Sequence, residues 1–392
     1  MRRTLFHRVI PFLSLALAAA MFAQAAERDV DLTASDGAKL KASYFPGGKP
    51  GPGVLLLHQC NRDRKVWDGL AQQMSAAGLN VLTLDLRGFG ESAGVPLAKA
   101  TPEQANEERA KWPDDIDVAF RYLVAQSGVT RNTVGVGGAS CGVNNAVQTA
   151  MRHPEVRSLV LLSGATDYKG RQFLRVDSKV PAFYAYADDD EFPPSIVSIQ
   201  WLYSITADPD KSLVSYKTGG HGADIFKAHP ELMGLITDWY VTTLIKTPGK
   251  APAAKQATAT PEQVKILTII DEPGGAAKVE AQMQAARQQD PKATLFSQEM
   301  VNVVGYEHLR SGDTKGAVEI MKLNVAAYPN SANAYDSLGD AYLADGQKEL
   351  AIQNATKALS LLASDTADDQ QRKDAIKTSA EEKLKQMGAA PQ

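Results

Sequence analysis

Between Arg28 and Ile245, short runs of apolar residues alternate with longer segments that have helical periodicity. Continuous apolar runs of strand length are typical of parallel strands that helices cover on both faces. Strands are predicted at 53–58, 80–85, 133–137, 158–162, 181–186 and 212–216, after an antiparallel hairpin over 28–44. Helices are predicted at 66–77, 102–125, 142–152, 194–205 and 225–245. The alternation therefore predicts an α/β fold, a mostly parallel sheet flanked by helices.

The sequence changes character after residue 247. Residues 248–262 are rich in proline and alanine and lack apolar periodicity, which is typical of a linker. The segment 263–390 is helical throughout, and one constant shift of the sequence against itself superposes several of its small residues. The matching pairs are Gly305 with Gly339, Gly312 with Gly346, and Ala317 with Ala351. This shift equals the period of tetratricopeptide repeats, so we expect a C-terminal all-α, TPR-like domain; an ordinary pair of helical hairpins is the alternative.

The N-terminus has the pattern of a secretory signal peptide. Three arginines precede an apolar run from Val9 to Ala23, and Ala23-Gln-Ala25 matches the small-x-small cleavage pattern. The run is short for a membrane span. We therefore expect residues 1–25 to be removed. The mature protein should be periplasmic or secreted, with residues 26–247 as its first domain. The export route stays open.

Length and charge narrow the classes of partner. A chain of 392 residues is long for a single core and suggests two domains. Its formal net charge of −3 provides no field that attracts nucleic acid or an anionic membrane. A small organic substrate is the expected partner, and the repeat region is a candidate site for a protein or peptide partner.

The segment Gly138-Ala-Ser140-Cys-Gly142 lies where a buried strand runs into a helix. It fits the G-x-S-x-G nucleophile elbow, in which a strained turn presents a serine and tolerates only small residues two positions away. Cys141 is the rival nucleophile, but the pattern centred on it would require the β-branched Val143 at a small-residue position. We take Ser140 as the nucleophile; the alternative is a glycine-rich turn with a purely structural role.

A serine hydroxyl needs a base, and histidine is the side chain best suited to proton exchange near neutral pH. His221 lies in a glycine-rich loop between the last strand and the last helix of the first domain. Asp190 follows a strand end and is the predicted carboxylate that orients the histidine, with Asp189 as the alternative. The order Ser140, Asp190, His221 is a known triad order. The non-functional alternatives are that Asp190 belongs to a solvated acidic loop and that His221 is a surface histidine.

An oxyanion hole completes such a site, usually from the N–H group after the nucleophile and a second one from the loop after the third strand. These would be the main-chain N–H groups of Cys141 and of Cys60, the latter in the loop His58-Gln-Cys-Asn61.

Together these residues resemble the α/β-hydrolase superfamily, and within it the dienelactone hydrolase-like serine hydrolases, over about residues 30–245. The likeness includes Trp67 and the segment Asp85-Leu-Arg-Gly-Phe-Gly-Glu-Ser92. Two positions depart from the family pattern. Gln59 stands where a glycine is usual, and Ser140 stands where dienelactone hydrolases proper have cysteine. The second departure argues against the dienelactone substrate.

We therefore expect an exported carboxylic ester hydrolase of the EC 3.1.1 class that works through an acyl-enzyme, with no metal and no organic cofactor. The segment 163–180 is too short for a cap domain, which predicts an open rim near Tyr168, Phe173 and Phe192. A serine peptidase for short peptides is one alternative function. A non-catalytic TPR interaction protein on a hydrolase scaffold is another, because a fold alone does not establish activity.

Cys60 and Cys141 are the chain's two cysteines, and both lie at the predicted oxyanion hole. If their N–H groups point at a single oxygen, their Cα atoms come close to the separation that a disulfide needs. The oxidising compartments that exported proteins reach allow a disulfide bond to form. A Cys60–Cys141 disulfide is therefore predicted, and two buried free thiols are the alternative.

Overall fold

The computed structural model describes residues 27–252, 260–366 and 368–389. The predicted signal peptide and the middle of the predicted linker lie outside these residues. No helix within the described ranges is both long enough and apolar enough to cross a membrane.

The first domain is built on one eight-stranded sheet with the strand order β1-β2-β4-β3-β5-β6-β7-β8. The strands are β1 (Arg28–Thr33), β2 (Lys39–Phe45), β3 (Gly51–Leu57), β4 (Asn80–Leu84), β5 (Val129–Ala139), β6 (Val156–Leu162), β7 (Ala182–Ala187) and β8 (Lys211–Tyr216). β2 is antiparallel to both β1 and β4, and every other pairing is parallel. β3, β4 and β7 are buried along their whole length, because helices cover both faces. The predicted mostly parallel sheet and its opening hairpin are confirmed.

The flanking helices are α1 (Asp68–Ala76), α2 (Pro102–Ala125), α3 (Cys141–Arg152), α4 (Tyr168–Gln172), α5 (Pro193–Ile205), α6 (Ile225–Ala228) and α7 (Glu231–Val241). The single helix predicted over 225–245 is wrong, because the chain turns at His229 and Pro230. Proline disfavours a helical conformation in the residue before it, so α6 ends and α7 begins there.

The C-terminal region folds into α8 (Glu262–Ile270), α9 (Gly275–Arg287), α10 (Gln298–Ser311), α11 (Thr314–Ala327), α12 (Ala332–Ala344), α13 (Lys348–Leu361) and α14 (Gln370–Gln386). Its all-helical character is confirmed. The interval between the first residues of α10 and α12 equals the interval between those of α11 and α13. Gly312 and Gly346, which are separated by the same interval, both have positive φ in the turn after the first helix of each pair. Their assignment as tetratricopeptide repeats stays a prediction.

One of the hydrophobic clusters spans the two regions. Apolar residues of α5, among them Trp201 and Leu202, belong to the same buried cluster as Val264 and Leu267 of α8. α5 packs against α8, and α4 packs against α10. The length of the chain and the composition of the linker predicted two domains, but neither indicated that helices of the two regions pack into a common cluster.

Ion pairs also join the two regions. Arg171 of α4 donates to Asp271 Oδ1 at 2.7 Å and to Glu307, and Arg175 donates to Asp271 Oδ2 at 2.9 Å. Arg171 and Asp271 are almost wholly buried. Burial raises the pKa of Asp271, but the two guanidinium groups and a hydrogen bond from His308 outweigh it and keep this pKa below its ordinary value. Removing one partner of such a pair would leave an uncompensated buried charge.

Candidate active site

Ser140 lies in the turn between β5 and α3, with φ 52° and ψ −119°. A Cβ atom on Gly138 would lie 2.0 Å from the carbonyl oxygen of Gly142, and one on Gly142 would lie 2.3 Å from that of Leu57. Such distances are far inside van der Waals contact, so both positions require glycine. The backbone strain at Ser140 is therefore held in place by its surroundings, as in a turn that presents a reactive side chain.

His221 follows β8 in the loop that carries Gly219, Gly220 and Gly222, all with positive φ. Its Nδ1 atom lies 2.9 Å from both carboxylate oxygens of Asp190. An ionised carboxylate only accepts hydrogen bonds, so Nδ1 carries the proton and Nε2 is left free to accept one when the ring is neutral. Both side chains are nearly buried.

Asp190 also accepts hydrogen bonds from the Ser195 hydroxyl at 2.6 Å and from the Phe192 main-chain N–H at 2.8 Å. Burial raises the pKa of its carboxyl, but these donors and His221 together hold that pKa below its usual value. The charge of Asp190 is thus stabilised where it faces the imidazole. Asp189, the alternative, instead accepts from the main-chain N–H of Gly220 at 2.9 Å. Of the two carboxylates, Asp190 is the one that contacts the His221 ring.

The structure contains the disulfide Cys60–Cys141, whose Cα atoms are 5.8 Å apart. Both cysteines line the same cavity as Ser140 and His221. Cys141 is the first residue of α3, where main-chain N–H groups have no partner within the helix and the helix dipole favours negative charge. The disulfide thus ties the loop after β3 directly to the helix end beside Ser140.

The side chains of Gln59 and His58 hold that loop in place, and neither residue was among the predicted site residues. The Leu86 N–H donates to His58 Nε2 at 3.0 Å, so the protonated Nδ1 donates to the Gln59 carbonyl at 2.8 Å. Burial lowers the pKa of His58, which favours this neutral form. The Gln59 side chain accepts from the Ala223 N–H at 2.7 Å and donates to the His221 carbonyl at 3.2 Å. In the sequence, the presence of Gln59 where a glycine is usual was the signal that this side chain has a role in holding the loop.

The segment 85–92, which carried part of the resemblance, has a structural role beneath the site. Asp85 is fully buried, accepts from the Arg64 N–H at 2.7 Å and forms an ion pair with the Arg64 guanidinium. A Cβ atom on Gly90, which has φ 53°, would lie 2.2 Å from the Asp85 carboxylate. The Phe89 ring packs edge-on against the His58 ring, with centroids 5.1 Å apart. This segment therefore supports the loop that carries Cys60.

The cavity above Ser140 has a volume of about 700 Å³, and both regions of the chain line it. The first domain contributes Phe192, Pro194, Trp201 and Leu202, and helix α10 contributes Met300, Val303 and Val304. The predicted open rim is therefore wrong in part. Only Phe192 of the three expected rim residues lines the cavity, since the Tyr168 ring packs on His308 with centroids 3.9 Å apart and Phe173 packs against the core.

The remaining histidines of the described ranges lie in other surroundings. His153 contacts Asp117 and stacks on Phe120, and His229 contacts Glu231 and stacks on Tyr216. Within the described residues, no group of three His, Cys, Asp or Glu side chains is arranged to hold a metal ion.

The sheet domain contains a segment that matches a known protein family. A family model described as "Serine aminopeptidase, S33" matches residues 48–186. The thiohydrolase aneE of Aspergillus aculeatus is 27% identical over 135 residues, which are 34% of this chain and 40% of that protein. An uncharacterised protein of Mycobacterium tuberculosis is 33% identical over 143 residues, which are 36% of this chain and 47% of that protein. The chain thus spans less than half the length of these relatives.

Solved structures with similarity to the chain include the esterase Pf2001 of Pyrococcus furiosus, at 18% identity and a TM-score of 0.44. That match covers 56% of this chain and 93% of the esterase. The α/β hydrolase GrgF of a Penicillium species matches at 15% identity and a TM-score of 0.46, over 56% of this chain and 99% of that one.

Proposed function

Because the eight-stranded domain has the α/β-hydrolase fold and residues 48–186 match a serine aminopeptidase family model, we propose that this protein is a serine hydrolase that cleaves carboxylic esters, with Ser140, His221 and Asp190 as its triad. The observation that carries the proposal is the hydrogen-bonded pair His221–Asp190 on the same cavity as an elbow serine with positive φ. A strained serine, a base with an oriented tautomer and a shaped cavity together are the requirements for nucleophilic acyl transfer.

In the proposed reaction, the Ser140 oxygen attacks the ester carbonyl carbon while His221 Nε2 takes the hydroxyl proton. The main-chain N–H groups of Cys60 and Cys141 stabilise the resulting oxyanion. The carbon–oxygen bond of the ester then breaks, and His221 returns the proton to the leaving alcohol. Water attacks the acyl-enzyme with His221 again as the base, which releases the carboxylic acid and restores Ser140. Asp190 holds the imidazole and stabilises the imidazolium throughout.

A screen of the purified protein against esters and short peptides tests this function. We expect ester turnover, and we expect Ser140→Ala to remove it. The matched control is Ser198→Ala, because Ser198 lines the same cavity but is not among the groups that donate to Asp190. Ester turnover that survives in Ser140→Ala would contradict the proposal.

An aminopeptidase is the second candidate, favoured by the family description and by one feature of the cavity. The carboxylates of Glu299 and Glu307 line its wall, and a carboxylate is the group that binds the free ammonium of a peptide N-terminus. Glu307 is already paired with Arg171, so Glu299 is the available group. Cleavage of unblocked but not N-acetylated dipeptides, abolished by Glu299→Gln, would favour this function over the esterase.

We further propose that the faces of the C-terminal repeats directed away from the cavity recruit a protein or peptide partner.

We also propose that the protein is exported. The disulfide supports an oxidising compartment. Mass spectrometry of the mature N-terminus tests export, with a first residue at or near Ala26 expected and an intact Met1 against it.

A further inference from the structure

Helix α10 forms a wall of the cavity that contains Ser140. Met300 and Val304 are buried, whereas the Val303 side chain is 50% exposed and lines the cavity. Phe192, which lines the same cavity, is 52% exposed, and the centroid of its ring lies 4.8 Å from that of the His221 ring. Large apolar side chains with this much exposure are few in the described residues, and two of them face one cavity. Exposed apolar groups that converge in a concave site indicate an apolar ligand.

The position of α10 over the cavity is fixed. The neighbouring Glu307 of the same helix is paired with the buried Arg171 of the first domain, and Arg171 is also paired with Asp271. The Arg171 guanidinium lies over the Trp201 ring, 4.5 Å from its centroid, and Trp201 itself lines the cavity. These contacts and the shared core hold the helical region against the sheet domain as a single unit.

We propose that the C-terminal helical domain is the cap of this active site, and that Val303, Met300 and Val304 bind the hydrocarbon part of a medium-chain ester. The proposal rests on the ester hydrolysis proposed above and assigns its substrate class. A cavity of about 700 Å³ is within the usual size of sites that enclose a small organic ligand. The segment 163–180, where a cap would be inserted in the sheet domain, holds only α4 and one further turn.

Charge also favours an uncharged substrate. Among the residues that line the cavity, Arg171 is the one arginine or lysine, and Asp271 and Glu307 neutralise it. The exposed carboxylate of Glu299 then leaves the cavity with a negative edge. Esters that carry a second, ionised carboxylate should therefore bind less well than neutral esters of the same length.

Turnover of 4-nitrophenyl esters from acetate to decanoate, and of acetates of alcohols from ethanol to decanol, tests the cap in the full chain. In one of these two series kcat/KM should rise about fourfold for each added methylene until the cavity is full. Val303→Asp should lower kcat/KM for the longest good substrate at least about tenfold and change the shortest less than about twofold. Val303→Thr, which keeps the shape, should lie between. The control is Val176→Asp, an exposed valine that does not line the cavity.

Binding of 4-nitrophenyl decanoate and of decyl acetate to Ser140→Ala separates the cap from the chemistry. In the Ser140→Ala background, Val303→Asp should weaken binding about tenfold for the ligand whose series shows the dependence on chain length. Equal effects of Val303→Asp and Val176→Asp on binding and turnover, or no dependence on chain length in either series, would overturn the cap. Wild-type protein that turns over no ester, yet binds in a Val303-dependent way, would instead overturn the proposed function and support the cap.

Discussion

The side-chain amide of Gln59 donates a hydrogen bond to the main-chain carbonyl of His221 at 3.2 Å, and its oxygen accepts from the N–H of Ala223 at 2.7 Å. One buried side chain therefore joins the loop after β3, which carries Cys60, to the loop that carries the proposed base. A Cβ atom on Gly222, which has φ 62°, would lie 2.5 Å from the Gln59 oxygen. The two loops are fitted to each other, so Gln59 is expected to act as a positioning residue.

Gln59→Leu should lower kcat by at least about tenfold with little change in KM, because a shift of the base affects the transition state more than ground-state binding. It should also destabilise the fold by about 1–3 kcal/mol, since the Ala223 N–H loses its partner. Steady-state kinetics and urea unfolding measure the two effects. The control is Gln148→Leu, which removes a hydrogen bond from the Gln148 side-chain amide to the Asp167 carboxylate. A KM effect alone would contradict the positioning role.

Loss of the Cys60–Cys141 disulfide should lower both stability and activity. The cysteines are 81 residues apart, for which the chain-entropy model gives about 4.5 kcal/mol. Activity should fall because the loop that presents the Cys60 N–H is released from α3. Urea unfolding and ester turnover of Cys60→Ala/Cys141→Ala measure these effects. Thiol counting on the denatured, unreduced wild type should find no free thiol, and two thiols per chain would rule the bridge out.

The contribution of Asp190 to stability should vanish in acid. Its pKa in the folded protein lies below the ordinary value of 3.8, so the folded state holds fewer protons than the unfolded state near that pH. The stabilisation is therefore complete above about pH 5 and is lost as the pH falls through the folded pKa. The difference in unfolding free energy between wild type and Asp190→Asn should shrink as the pH falls below about 4. A difference that grows in acid would contradict this assignment.

Truncation after Thr247 should destabilise the sheet domain. Trp201 and Leu202 lie in a core that α8 completes, and Arg171 would lose both of its carboxylate partners. We expect the truncated chain to be insoluble or to unfold at a lower temperature than the full chain. Circular dichroism during heating checks this. A truncated protein with an unchanged melting temperature would show that the sheet domain is independent of the helices.

The strands of the sheet and the turn that carries Ser140 were predictable because each depends on a short stretch of sequence. Apolar runs specified the buried strands, and the spacing of Gly138, Ser140 and Gly142 specified the turn, since only glycine avoids the clashes found there. The proximity of His221 to Asp190 followed from the shared edge at which parallel strands end. The break between α6 and α7 was also readable from Pro230, although a single helix was predicted.

Contacts between distant segments could not be predicted in the same way. Neither the composition of the linker nor the repeat pattern indicates that α10 turns Val303 toward the cavity, because helical periodicity shows which face is apolar but not what covers it. Arg171, Asp271 and Glu307 are separated by up to 136 positions, and each alone has the appearance of a surface charge. Gln59 was noticed as an exception to a family pattern, but its partners depend on the loop around Gly222.

Covalent labelling by a fluorophosphonate tests the central claim most directly, because such a reagent reacts readily only with a serine that a base and an oxyanion hole activate. The labelled site is read by peptide mass spectrometry in the wild type, in His221→Ala and in the control His229→Ala, whose histidine contacts Glu231. We predict a single label on Ser140 in the wild type and in His229→Ala, and a labelling rate lower by at least about a hundredfold in His221→Ala. Folded wild-type protein that stays unlabelled, or that carries the label on another residue, would contradict the account.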